Sequence, residues 1–289
     1  MNTGACQGDG ALVIGAGYLA RFLADCLPPD TPLIAVRRTA MATTSTTYRR
    51  QVACDVLSPR VGALLAPALR DFRGAVFCLL PPSALESRPP VSAFAPLFEV
   101  LRAQACRRVV LASSTGIYDE DEGAAVTAET PITAVTPRAR RLHDIEQTWM
   151  DSGLACHVIR LAGLYGPGRI VGRETVRSGA PLPGDPQAWL NLVRAEDAVA
   201  ALLAAARQTS QRAVDVISDG RPLRRQDYYG TLASVLGCAS PPFDRQAARR
   251  GGSRRIDPTA SWQRLGIAPH YRDIEASLRA LLADEVTPE

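Results

Sequence analysis

The stretch Ala11-Leu12-Val13-Ile14-Gly15-Ala16-Gly17-Tyr18-Leu19-Ala20 runs from an apolar strand through a glycine turn into the head of a helix. In such a turn Gly15 permits the tight reversal, Gly17 lets the backbone come close to a pyrophosphate, and Ala20 leaves room for helix to pack on strand. The first turn of that helix, with Tyr18 and Leu19, and its positive end favour phosphate. A GxGxxA pattern is weak by itself. Its place directly after a strand and at the start of a helix makes it the signature of a dinucleotide seat.

Outward from this turn, short apolar runs alternate with amphipathic ones, as βαβ units require. Strands are expected at Ala11–Ile14, Pro32–Val36, Gln51–Cys54, Ala75–Leu79, Arg108–Ala112 and Cys156–Leu161, and helices at Tyr18–Leu27, Ala63–Leu69, Val91–Ala105 and Arg138–Met150. Right-handed crossovers join them into a Rossmann-type, doubly wound parallel sheet of the α/β class. Thr136 and Pro137 mark the start of the last of these helices, since proline's missing N–H costs nothing in a first turn. Beyond Leu161 the chain turns rich in Gly and Pro, and reads as loops covering a site. A helix over Glu196–Arg207, a strand near Val214–Ile217 and helices around Arg225–Leu236 and Ile274–Leu282 follow. The expected division is a dinucleotide-binding domain over 1–165 and a smaller, substrate-covering region over 166–289 that returns some elements to the core.

Composition removes several function classes. With 46% hydrophobic and 21% charged residues over 289 positions, the chain is that of an ordinary folded protein. The net charge of +4 comes from arginines spread in pairs such as Arg49-Arg50 and Arg107-Arg108, not from a basic stripe with interleaved aromatics, so no nucleic-acid partner is expected. There is no lysine anywhere, which excludes a Schiff base, a phosphate-loop lysine and any lysine base. Seven scattered cysteines (Cys6, Cys26, Cys54, Cys78, Cys106, Cys156 and Cys238) read as small buried hydrophobes of a reducing compartment, and neither they nor the three histidines have metal-ligand spacing. No leader pattern and no apolar run of membrane length is present, so a cytoplasmic protein without membrane contact is expected.

The residues after the second and third strands concern the cofactor's other end. Where an NAD site usually carries a carboxylate for the ribose, this chain has Arg37-Arg38, and guanidinium suits a 2′-phosphate. NADP is therefore expected ahead of NAD. Asp55 can hydrogen-bond an adenine amino group beside the apolar Val56, and Leu79, which ends the fourth strand, is a further cofactor-binding candidate.

Together the GAGYLA turn, Asp55-Val56, the run Leu111-Ala112-Ser113-Ser114-Thr115-Gly116-Ile117-Tyr118, Arg160 with Tyr165-Gly166-Pro167-Gly168, and Asn191-Leu192-Val193-Arg194 with Asp197-Ala198 resemble an extended short-chain dehydrogenase/reductase of the epimerase/dehydratase-like group. The resemblance implies that Ser114 is the active-site serine, hydrogen-bonding a substrate oxygen. It also implies pairing as a homodimer through helices that flank the sheet. The family's YxxxK pair, in which lysine tunes the tyrosine that exchanges a proton with substrate, is missing. Aligned on Glu146, the tyrosine position holds Arg138 and the lysine position Leu142, and no tyrosine occurs between Tyr118 and Tyr165. Arg138 can bind a carboxylate or phosphate or steady an oxyanion, but it cannot shuttle protons. Tyr118 and Tyr165 remain as proton donors or as aromatic walls, and Arg169 and Arg194 as holders of an anionic substrate group.

Three functions stay open on these residues. The first is an NADP(H)-dependent reductase of a small polar or anionic carbonyl or imine, for which an iminium, already protonated, would ease the missing pair. The second is a nucleotide-sugar epimerase or dehydratase, where loss of the pair hurts most. The third is a non-catalytic dinucleotide sensor or partner protein.

Overall fold

The computed structural model describes residues 10–39, 50–85, 88–120, 122–247 and 252–286, so that Cys6, Arg49 and the last residues lie outside the description. The chain divides into two compact units that alternate along it. Unit 1 comprises 1–114, 137–160 and 199–215; unit 2 comprises 115–136, 161–198 and 216–289.

In the first unit the glycine-turn strand is β1 (Gly10–Ile14), followed by α1 (Tyr18–Cys26), β2 (Leu33–Arg37), β3 (Arg50–Ala53), α2 (Val61–Leu65), β4 (Arg73–Cys78), α3 (Pro90–Ala103) and β5 (Ala105–Ser114). The expected helix over 63–69 is shorter because Pro67, lacking an N–H, turns the chain into a 3₁₀ segment over Ala66–Ala68. A two-residue β6 (Ala125–Val126), which belongs to unit 2, precedes α4 (Pro137–Met150), in which Pro137 holds the first position, and β7 (Cys156–Leu161) follows.

Three of these strands are buried throughout or nearly so, as strands covered on both faces must be: β1 and β7 entirely, β2 in all but its last residue. β1 pairs in parallel with both β2 and β4, Ile14 lying opposite Val36 and Cys78. With β12 (Arg212–Ile217) at one edge, the sheet order is β12-β7-β5-β4-β1-β2-β3. The chain thus winds one way from β1 to β3 and the other way from β4 onward, and the switch falls at the carboxyl ends of β1 and β4, where an open α/β sheet binds its ligand. Beneath it Trp149 of α4 is fully buried, its ring edge-on to Phe94 and Phe98 of α3. A buried pair, His157 Nε2 and Asp215 Oδ2 at 2.8 Å, ties β7 to β12.

Unit 2 is built from short pieces. β8 (Gly163–Tyr165), α5 (Arg173–Ser178), β9 (Leu182–Pro183), β10 (Trp189–Leu190) and β11 (Leu192–Arg194) lead to α6 (Ala195–Arg207). β13 (Leu223–Arg224), α7 (Arg225–Leu236), β14 (Phe243–Asp244), β15 (Arg255–Ile256), α8 (Thr259–Leu265) and α9 (Ile274–Val286) complete the chain. The core of this unit gathers Tyr165, Tyr228, Leu232 and Leu278. Among the described residues no helix is long and apolar enough to cross a membrane.

Candidate functional site

In unit 1 the residues expected to seat a cofactor lie at the carboxyl ends of neighbouring strands. Gly15 has φ +86°, and a Cβ there would come within 3.1 Å of the Leu79 carbonyl group and of the Leu80 nitrogen, so only glycine fits between β1 and β4. Its N–H donates to Val36 O, while the Leu79 N–H donates to Ile14 O, so the turn is fastened to both neighbours. Gly17 differs. Its φ of −107° is not left-handed, and a Cβ would meet no protein atom closer than Gly15 O at 3.8 Å. Packing does not ask for glycine at this position. α1 begins at Tyr18 with no side-chain cap and no acidic residue in its first turn, which leaves its positive end free of a carboxylate. Leu19 and Ala20 are buried against the sheet.

Arg37 ends β2, half-buried, and Arg38 is exposed beside it. Asp55 follows β3 in a tight turn, where its Oδ1 accepts the Leu57 N–H, and Val56 is buried. Burial, and then the charge of Asp55, pushes the Cys54 thiol up, so it stays a neutral wall. These features fit a dinucleotide: an open approach above Gly17, an uncapped helix end, and cationic and polar side chains at the next two strand ends.

The carboxyl end of β5 carries Ser113 and the half-buried Ser114. Ser113 Oγ donates to Glu146 Oε1 of α4 at 2.5 Å, and Arg160 of β7 holds the same carboxylate with Nε at 3.2 and 3.1 Å and Nη2 at 2.7 Å. Glu146 and Arg160 are both buried. This network fixes α4 against the residue next to Ser114, and sequence reasoning used Glu146 only as an alignment mark. On α4 Arg138 is exposed and Leu142 is buried, so the two family positions hold a cation at the surface and an aliphatic in the core. His143, one residue on and about 100° round the helix from Leu142, has a buried Nδ1 with no partner among the described residues.

In unit 2 the expected substrate residues are engaged locally. Tyr118 is buried, and its hydroxyl donates to Thr127 O at 2.8 Å. A second, distant residue fixes its backbone: Arg254 Nη1 donates to Tyr118 O at 2.6 Å. Tyr118→Phe is expected to cost about 1 kcal/mol of stability through that one lost bond and to leave turnover within about threefold; a loss of several orders of magnitude in kcat would instead make Tyr118 the proton donor.

Tyr165 is 0% exposed, so its ring fills the core of this unit rather than walling a cavity, and burial pushes its phenol up to about 12. Arg194 is likewise buried, its Nε donating to Glu196 Oε1 at 3.0 Å and its guanidinium lying 3.9 Å from the centre of the Tyr271 ring, so it is already spent on packing. Arg169 is exposed and donates to Leu164 O. Asp197 accepts the N–H groups of His270 and Tyr271, both at 2.9 Å, and so anchors the chain that enters α9.

Asp219, after β12, was not singled out by its sequence. It is buried, and that burial raises its carboxyl to about 7, against the lowering influence of the Arg221 N–H and the charges of Arg272 and Arg221. The folded chain therefore keeps this proton up to about pH 7, whereas the unfolded chain releases it near the ordinary value of 3.8. Its contribution to stability is full below that lower value and is lost as pH rises toward 7. Asp219→Asn is expected to flatten that decline in urea midpoints recorded from pH 4 to 8. An unchanged slope would mean the carboxyl is ionised throughout.

No protein-family model matches the chain. Protein YeeZ of Escherichia coli K12 is 31% identical over 169 residues, 57% of this chain and 59% of that protein, so the match spans less than two thirds of the relative's length. A functionally unknown conserved protein from Silicibacter pomeroyi DSS superposes with a TM-score of 0.79 at 25% identity, covering 96% of this chain and all of that one. MoeE5 in complex with UDP-glucose and NAD gives 0.78 at 21% identity, and the UDP-glucose 4-epimerase of Thermotoga maritima with UDP-glucose gives 0.78 at 16%, each covering 96% of this chain and 100% of the other. The chain has a Rossmann-type α/β fold, shared with these solved proteins, and contains no YxxxK pair.

Proposed function

We propose that the chain is a dinucleotide-dependent enzyme of the epimerase/dehydratase type, acting on a nucleotide-linked sugar. Gly17 carries this reading. Packing does not require glycine there, and the space beside it leaves room for the close approach of a pyrophosphate. The substrate class is favoured by the solved proteins of this fold that hold UDP-glucose, one of them together with NAD. This ranks it above the carbonyl reductase that the residues alone put first.

A bound nicotinamide would supply the hydride transfer. The chain's own part is to bind and orient. The first turn of α1 meets the phosphates, Arg37 and Arg38 favour a ribose 2′-phosphate, and Asp55 with Val56 takes the adenine. Ser114 hydrogen-bonds the reacting oxygen, while Arg138 offers charge to an anionic group and moves no proton. One observation favours a second reading, an NADP(H)-dependent reductase of a small polar or anionic carbonyl or imine. Such a reaction does not begin by removing a hydroxyl proton, the step for which the absent tyrosine and lysine are used.

Fluorescence titration with NADH and NADPH, followed by proton NMR of UDP-glucose incubated with protein and oxidised cofactor, tests the proposal. NADPH is expected to bind more tightly than NADH, and Arg37→Ala to weaken NADPH by about tenfold while leaving NADH nearly unchanged. A changed sugar without net cofactor reduction supports the epimerase/dehydratase reading. Net oxidation of NADPH by a carbonyl or imine would replace it with the reductase. Binding of either cofactor without any turnover would leave a dinucleotide sensor, and no binding would sink all three.

A further inference from the structure

Unit 2 contains an open cleft of about 430 Å³ built around Trp189, and the function proposed above makes no use of it. The indole is held on several sides. The Trp189 backbone N–H donates to Ser253 Oγ at 3.1 Å, β10 pairs the residue with Arg224 of β13, and Gly123 packs so closely on the indole that a Cβ there would lie 3.0 Å from Trp189 Nε1. Two guanidinium groups lie against the ring, Arg224 with Cζ at 3.6 Å from its centre and Arg255 at 5.6 Å. Each is steadied by one backbone carbonyl: Arg224 Nη1 donates to Gln187 O at 2.5 Å, and Arg255 Nε donates to Gly123 O at 2.9 Å.

A guanidinium has five N–H donors, so both arginines keep donors in hand. Glu122 and Asp185 line the same cleft, and among the described residues no ion pair joins either carboxylate to Arg224 or Arg255. Asp185 Oδ1 instead accepts the Gln187 N–H at 3.0 Å. Opposite charges sharing a small cleft ordinarily close into ion pairs unless something holds them apart. Here the indole and the two carbonyls hold the arginines, and a ligand-sized space remains among the four charges.

From this arrangement we infer that the cleft binds a small carboxylate whose body carries hydroxyl or amino donors. The carboxylate takes the free N–H groups of Arg224 and Arg255, for which a planar oxyanion is the matching shape. The hydroxyl or amino groups donate to Glu122 and Asp185. Those two acidic side chains oppose a dense polyanion, so a nucleic acid or polyphosphate does not fit, and the volume lies within the range of small-molecule pockets. Hydroxy acids and amino acids share this chemistry.

Trp189 is the half-buried tryptophan, whereas Trp149 and Trp262 are buried, so tryptophan emission reports on the cleft. The full chain is titrated with D-gluconate, L-serine, acetate and inorganic phosphate. Gluconate or serine is expected to give a saturable change with a Kd of about a millimolar or below, at least about tenfold tighter than acetate; which of the two saturates identifies the source. Arg224→Gln and Arg255→Gln should each weaken that binding by about tenfold or more. Glu122→Gln with Asp185→Asn should remove the advantage over acetate. Arg255 is exposed and makes one backbone bond, so its variant remains informative even if Arg224→Gln fails to fold. A flat response to both acids, binding unchanged by Arg255→Gln, or phosphate binding more tightly than either acid would overturn the assignment. Cofactor titration read from NADH emission is expected to be unaffected by Arg255→Gln, which separates this site from the dinucleotide reading.

Discussion

Glu146→Ala is expected to lower the unfolding free energy by about 3–5 kcal/mol, the range found when one partner of a buried ion pair is removed. The carboxylate accepts from Ser113 Oγ and from Arg160 through two nitrogens, and both ionic partners are almost wholly buried. Without it the Arg160 charge stays in the core of unit 1 and loses the carboxylate that these bonds hold against it, while Ser113 loses its acceptor. The loss comes from stranding a charge, so it does not measure the worth of the pair. Replacing both partners, as Glu146→Met with Arg160→Met, is therefore expected to recover most of the stability, because the desolvation of both ions is then avoided. Urea unfolding of the single and double variants checks this. A single variant within about 1 kcal/mol of the parent would mean that water reaches the site and screens the charge. Because Ser114 follows Ser113 directly, any turnover should fall in the single variant more than folding loss explains, with kcat affected before KM.

The sheet was legible because its strands announce themselves over several residues. Leu12, Val13 and Ile14 are apolar without interruption, as a strand buried on both faces must be, and glycine at 15 and 17 punctuates the run. Pro137 marked the start of α4 for an equally local reason. The network under the candidate site was not legible in this way. Glu146, Arg160 and Ser113 lie on three elements, and nothing in the spacing of a serine and a glutamate 33 residues apart states that they meet. Unit 2 hid more. β6 and β15 are two-residue strands, too short to carry a period, and they pair across the chain with Arg255 opposite Ala125. Asn191 looked like a family mark, but its side chain is a staple, donating to Arg254 O and accepting the Ile256 N–H, both at 2.8 Å. For Tyr165 and Arg194 the sequence leaves a place at the substrate and a structural role both open; burial, which no local pattern reveals, favours packing for both.

The two glycines of the turn differ in what a side chain would do, and this separates folding from binding. Gly17→Val is expected to weaken NADH and NADPH by on the order of 100-fold, about 2.8 kcal/mol, while the melting temperature stays within a few degrees. A side chain at 17 has space on the protein side, where the first atom met is 3.8 Å away, and it projects into the approach a pyrophosphate needs. Gly15→Val is expected to lose binding and stability together, because φ +86° strains a β-branched residue and its Cβ would press on the Leu79 carbonyl at 3.1 Å. Cofactor fluorescence and thermal unfolding on the same samples read both quantities. If Gly17→Val bound cofactor as well as the parent, the open space above it would have no phosphate to admit, and the dinucleotide seat would have to be given up even with the fold intact. If Gly17→Val instead unfolded as Gly15→Val does, glycine at 17 would answer to backbone geometry, and the space beside it would say nothing of a ligand.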